Sequence, residues 1–296
     1  MKMIDEKGLQ GSIDMHVHVF PDYIPRYGDA LSLAQDAASV GMRGLVIKSH
    51  LIHTIGSAFI ANQLVPETTV FGSVTLNHPA GGLNPRTVIA NAKAGAKLIW
   101  LPTIDSAYGN RKAKEDHWIK NYNGGGNFNR EIEYMTITDE KGELKQEVRD
   151  IVDVCKEYKI CLCSGHVSPQ ETLVLGEYVY ETGFTQFEVT HPNIWEEGGF
   201  TPEIMKKLVA MGATMGVAYG CTMPHNGAVH PSVLVDTVKL VGAENCIMIT
   251  DFGQVYSPSP VEGFRVYRSI MKRFGCSESE LDQMMKVNPA RLLALD

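Results

Sequence analysis

Residues 13–19 read Ile-Asp-Met-His-Val-His-Val, and Phe20-Pro21-Asp22 follow. The run has the length and apolar, β-branched character of a buried strand, with Pro21 stopping it. Two polar imidazoles, His16 and His18, lie at its end. Side chains two apart in a strand share a face, so both rings point the same way, close enough to share one metal ion.

Seven more runs of the same kind follow along the chain. They are residues 44–50, 70–76, 96–103, 160–166, 186–191, 213–220 and 246–251. Between them lie amphipathic segments such as 29–40, 85–94, 144–158, 169–181, 202–211 and 231–241. Ser168-Pro169 and Thr201-Pro202 place a capping hydroxyl before a proline of the first helical turn. Gly41, Gly95, Gly183 and Gly212 close helices before the next strand opens. Strand–helix alternation repeated eight times predicts an α/β fold, a (β/α)8 TIM barrel, in a single domain spanning 1–296. A doubly wound open sheet is the alternative, but no Gly-rich phosphate loop follows the first strand. Residues 104–143 break the rhythm after the fourth strand. They contain His117, Trp118 and the stretch NYNGGGNFN, and their place at a strand's C-terminal end predicts a lid or pocket wall.

Composition narrows the function. The chain has 296 residues, 44% hydrophobic and 21% charged, with a formal net charge of −7. No apolar run approaches the ~20 residues of a membrane span, and the polar first ten residues lack a signal peptide's apolar core. The acidic balance and the absence of a Lys/Arg block argue against nucleic acid as a partner. Six cysteines without a CxxC pair fit buried thiols in a reducing, cytoplasmic setting.

Polar residues recur where strands end. The fifth run closes on His166, the sixth on His191 before Pro192, and the eighth on Asp251. In a barrel this end carries chemistry, so His16, His18, His166, His191 and Asp251 converge as candidate metal ligands. The second run ends Lys48-Ser49-His50, with Lys48 and His50 on one face. A buried ammonium needs a partner: Asp14, Asp251 or an anionic substrate group. Lys48 and His50 are therefore candidate substrate contacts. His53, His78, His225 and His230 fall in loops and read as solvated or capping residues.

This pattern resembles the amidohydrolase superfamily of metal-dependent hydrolases. Asp14-Met15-His16-Val17-His18 is similar to its opening D-x-H-x-H, and Asn288-Pro289-Ala290-Arg291-Leu292-Leu293-Ala294-Leu295 to its closing helix. The resemblance implies that His16, His18, His166 and Asp251 hold one divalent metal, with His191 beside the water or substrate. If two ions bind, His166 and His191 move to the second. The binuclear pattern needs a lysine at the end of strand four, whereas Lys97 stands at that strand's entrance, so one ion is favoured. Three His and one Asp suit zinc, with manganese, iron and nickel as alternatives. The implied function is hydrolysis of a C–N or C–O bond in a small polar substrate. Asp251 acts as base then acid, and His191 stabilises the oxyanion. Rival readings are a decarboxylase of the same superfamily, a phosphoesterase, and a non-catalytic ligand-binding barrel. A homo-oligomer is the expected assembly.

Overall fold

In the computed structural model, residues 8–115, 133–194 and 199–295 are described, apart from Tyr23, His225 and Gly227. All eight expected strands form, and every pairing between them is parallel. In chain order they are Ile13–His18, Gly44–Lys48, a third strand in two successive pieces, Thr69–Phe71 and Ser73–Thr75, then Leu98–Trp100, Cys161–Cys163, Phe187–Thr190, Thr214–Ala218 and Cys246–Ile249. Parallel neighbours need crossovers, and helices such as Ala30–Ser39, Pro85–Lys93, Pro169–Thr182 and Ser232–Val241 supply them.

The ladder has two seams. The third strand breaks at Gly72, where a Cβ would lie 2.6 Å from the Ile55 Cα. Thr54 spans the gap: its hydroxyl accepts from the Ser73 N–H at 2.9 Å and its own N–H donates to the Ser73 carbonyl at 2.9 Å. At the other seam the eighth and first strands join just beyond the eighth strand's last residue. The Asp251 N–H donates to His16 O at 3.0 Å, and the His18 N–H to Phe252 O at 2.7 Å. Those two bonds fix the ends of the first and eighth strands together, which is what the site requires.

Two apolar clusters result. Val17, Ile47, Ile99, Leu162, Val189, Val217 and Met248 face the helices. Ile13, Met15, Val46, Leu98, Cys161, Ile247 and Ile249 fill the barrel. Leu292 and Leu293 belong to the inner cluster and plug its base. Asn288 anchors that plug by donating from Nδ2 to the Ala243 and Cys246 carbonyls, at 2.8 and 2.6 Å. Lys97, expected at this end, reaches Leu293 O at 3.4 Å. The helix starts read from sequence also form: Ser168 and Glu171 make a reciprocal capping box, and Thr201 caps Pro202–Ala210.

Of the insertion, residues 116–132 lie outside the described residues, including His117 and Trp118. What precedes them is the helix Ala107–Glu115. Ser106 Oγ donates to His166 O at 2.6 Å, and a Cβ on Gly109 would lie 2.6 Å from the His166 Cβ. The return leg is held by the Ile137 N–H donating to Glu171 Oε1 at 2.8 Å, and by His78 Nε2 at 2.9 Å from Glu133 O. His78 thus braces the insertion. The base of this segment packs directly against His166.

Candidate metal centre

Asp251 stands two residues past its strand and His191 one, and both backbones are left-handed, at φ 57° and 34°. Non-glycine residues rarely adopt this region, and strained positions gather where side chains must be aimed. Asp251 Oδ1 lies 3.1 Å from His16 Nε2 and 3.0 Å from His18 Nε2. These three buried ligand atoms all fall within 4.8 Å of one another. His166 and His191 form an adjoining pair, with Nε2 atoms 3.1 Å apart. The rings of His16 and His191 stack at 6.1 Å between centroids, which joins the three-residue cluster to the pair. The five residues expected at the mouth are therefore together, arranged as three and two.

Lys48 and His50 share this mouth, as alternation predicts. Lys48 Nζ lies 3.0 Å from His16 Nε2 and 4.8 Å above the Trp100 ring. Asp14 is not its partner. That carboxylate accepts from the Thr250 hydroxyl at 2.5 Å, from the Thr250 N–H at 3.1 Å and from the His16 N–H at 3.1 Å. The β-bulge between Asp14 and Val17 explains this, because it turns Asp14 towards the eighth strand. His50 is held by Thr103, whose hydroxyl lies 2.8 Å from Nδ1, and Asn77 bonds both His50 O and Thr103. His53 and His230 are exposed, and His225 lies outside the described residues.

Two contributors escaped the sequence reading. Trp100, at the end of the fourth strand, packs on both Lys48 and His16. A tryptophan in an apolar run reads as core, so nothing marked it. Glu188, buried inside the barrel, accepts from the Thr190 hydroxyl at 2.7 Å, and Thr190 Oγ1 accepts from the Gly165 N–H at 3.2 Å. This chain ties the strand ends that carry His166 and His191. A charged residue at an inward strand position is the signal that could have found it.

Burial sets the charges. It holds His16, His18, His50 and His166 well below the usual imidazole range, and pushes His191 down to about 3. Neutral imidazole is the metal-binding form. Burial also raises Asp251 to about 6 and Glu188 to about 7, and lowers Lys48 to about 8. An ammonium can only donate, so the charged Lys48 turns His16 Nε2 into an acceptor. That acceptor faces a second one, Asp251 Oδ1. Converging acceptors of this kind suit a cation, and the donor set of two imidazoles and a carboxylate fits a divalent transition metal.

No curated protein matches the sequence. Among solved structures, an amidohydrolase from Pseudomonas aeruginosa superposes with a TM-score of 0.63 at 12% identity, over 97% of each chain. A lactonase from Listeria monocytogenes gives 0.61 at 12%, over 98% of this chain and 96% of that one. A 2,6-dihydroxybenzoate decarboxylase gives 0.52 at 10%, over 97% and 100%. At such identities the likeness is one of fold, and it bears out the barrel. By sequence, the family of unknown function DUF6282 matches residues 11–216. This match takes in the first six strands and four of the five mouth residues, and covers more than half of the chain, which therefore belongs to the family of unknown function DUF6282.

Proposed function

We propose that the protein is a metal-dependent hydrolase that cleaves a C–N or C–O bond in a small polar molecule. The observation that carries this reading is the convergence of His16 Nε2 and His18 Nε2 on Asp251 Oδ1, at 3.1 and 3.0 Å, in a buried barrel mouth. The names of the amidohydrolase and the lactonase that share the fold agree with it. His16, His18 and Asp251 would hold one divalent ion, zinc by donor type, with His166 completing the set. Such an ion supplies Lewis-acid polarisation of a substrate oxygen and lowers the pKa of water.

The chain's own groups do the rest. Asp251 offers a carboxylate oxygen to take a proton from the attacking water and pass it to the leaving group. His191, neutral and beside His166, presents a ring N–H to the oxygen on which negative charge develops. Lys48 and His50 contact the substrate, Lys48 as a cation for an anionic group. The Ala107–Glu115 segment walls the mouth beside His166 and limits water there. Six free, buried cysteines favour a reducing, cytoplasmic setting. Among the described residues no helix is long and apolar enough to cross a membrane.

The test is a panel of lactones, amides, esters and carboxylated ring amides, run on metal-loaded protein beside Asp251→Asn. Hydrolysis of one class, absent in Asp251→Asn, supports the reading. Release of CO2 from an aromatic acid without net hydrolysis replaces it with the decarboxylase reading.

A further inference from the structure

We propose that the outer face of the helix Ile55–Leu64 is where two copies of this chain pair about a two-fold axis. Helices on the outside of a barrel bury one face and expose a polar one. This helix reads IGSAFIANQL and has no charged residue. The charge-free stretch extends further, since residues 49–66 contain no Asp, Glu, Lys or Arg in a chain that is 21% charged. By contrast, the helix Gln146–Tyr158 carries Glu147, Arg149, Asp150, Asp153, Lys156 and Glu157.

The burial pattern inverts the usual arrangement. The small residues Ala58 and Ala61 face inward, while Phe59 is 65% exposed, Ile60 60% and Leu64 60%. With the exposed Gly56 and Gln63, these positions follow i, i+3, i+4, i+7 and i+8. That is the spacing of a helix stripe made for burial. Ile52, 49% exposed in the loop entering the helix, extends the patch.

A second copy fits this stripe for two reasons. A two-fold axis sets each residue against the same patch, so any charge would meet its like. The stripe has none, although each chain carries −7 overall. Its ends also complement each other in size. Antiparallel pairing centred on Ile60 sets Gly56 opposite Leu64 of the partner subunit. A Cβ on Gly56 would meet no atom within 4 Å, so the space there is open to a large side chain. The helix leads directly from the loop after His50, so pairing would brace that side of the mouth.

Light scattering coupled to size exclusion tests this on the full chain, with no need of a substrate. The wild type is expected to be a dimer at micromolar concentration. Phe59→Glu places like charges across the axis and should raise the dimer dissociation constant at least about thirtyfold. Phe59→Lys should do the same. Mixing the two variants should restore a dimer, which a misfolded variant could not do. A wild type that stays monomeric at every concentration overturns the proposal and leaves the stripe to another segment or partner. So does a dimer that survives Phe59→Glu, or a mixture that stays monomeric.

Discussion

Lys48 Nζ lies 3.0 Å from His16 Nε2, the same nitrogen that lies 3.1 Å from Asp251 Oδ1. One imidazole nitrogen thus stands between a buried ammonium and a buried carboxylate. Desolvation lowers the lysine's pKa, and the Asp251 carboxylate, with Glu188, offsets part of that and helps to keep it charged. In the proposed function Lys48 is therefore a cation for substrate, placed at the edge of the metal cluster. Lys48→Met should raise KM at least about tenfold, in line with the loss of a charged hydrogen bond, with a smaller change in kcat. Metal content should be unchanged. Loss of the ion in Lys48→Met would instead make the lysine a ligand.

Asp251→Asn keeps the shape of the side chain and removes its charge. Metal affinity should fall by more than the ~10–100-fold that an outer partner of a ligand typically costs. The fold should persist, because the Asp251 backbone bond to His16 does not use the side chain. Circular dichroism and calorimetric titration with zinc check the two halves. Wild-type affinity in this variant would remove Asp251 from the ligand set.

Glu188 is a buried acid whose pKa lies above its unfolded value, about 7 against 4.5, mainly because burial disfavours its charge. A raised carboxyl gives stability that is fully present below the unfolded pKa and lost as pH rises through the folded one. Replacing Glu188 with Gln removes this pH dependence. Relative to Glu188→Gln, the wild type should lose up to about 3 kcal/mol between pH 4.5 and 7. Urea denaturation of metal-free protein at both pH values measures it. An equal difference at both would contradict the assignment.

A Cβ on Gly216 would lie 1.8 Å from Glu188 Oε1. Gly216→Ala should therefore destabilise by about 1–3 kcal/mol through overpacking. In Glu188→Ala the same substitution should cost much less, giving a coupling energy of at least about 1 kcal/mol. Additive effects would mean that Gly216 is constrained by something other than Glu188.

At the opposite end, Asn288→Ala removes two hydrogen bonds to buried carbonyls beneath the barrel. The expected loss is about 1–3 kcal/mol of stability. Metal affinity should stay at the wild-type value, because the plug is far from the mouth. A parallel loss of metal would contradict this separation of the two ends.

Strand–helix alternation showed in the sequence because each strand is buried on both faces and reads as one apolar run. Most helix boundaries showed as well, through caps such as Ser168 and glycines such as Gly183 in the left-handed conformation. The five mouth residues were legible because polar groups ending apolar runs stand out. Their division into His16, His18 and Asp251 on one side and His166 and His191 on the other entered only as the two-ion alternative of the resemblance, not from the residues themselves. It depends on backbone turns at His191 and Asp251 that only the fold imposes. The bulge that turns Asp14 towards Thr250 is equally silent in sequence, since alternation alone would let it face Lys48. Trp100 and Glu188 act by what lies across the barrel from them, information carried by no local pattern.

Metal binding at the barrel mouth is tested most directly by metal analysis of the purified protein by plasma mass spectrometry, beside the His16→Ala/His18→Ala double variant. About one transition metal per chain is expected, lost in the double variant while its fold remains. Absence of bound metal from the wild type, even after reconstitution with zinc or manganese, would contradict it.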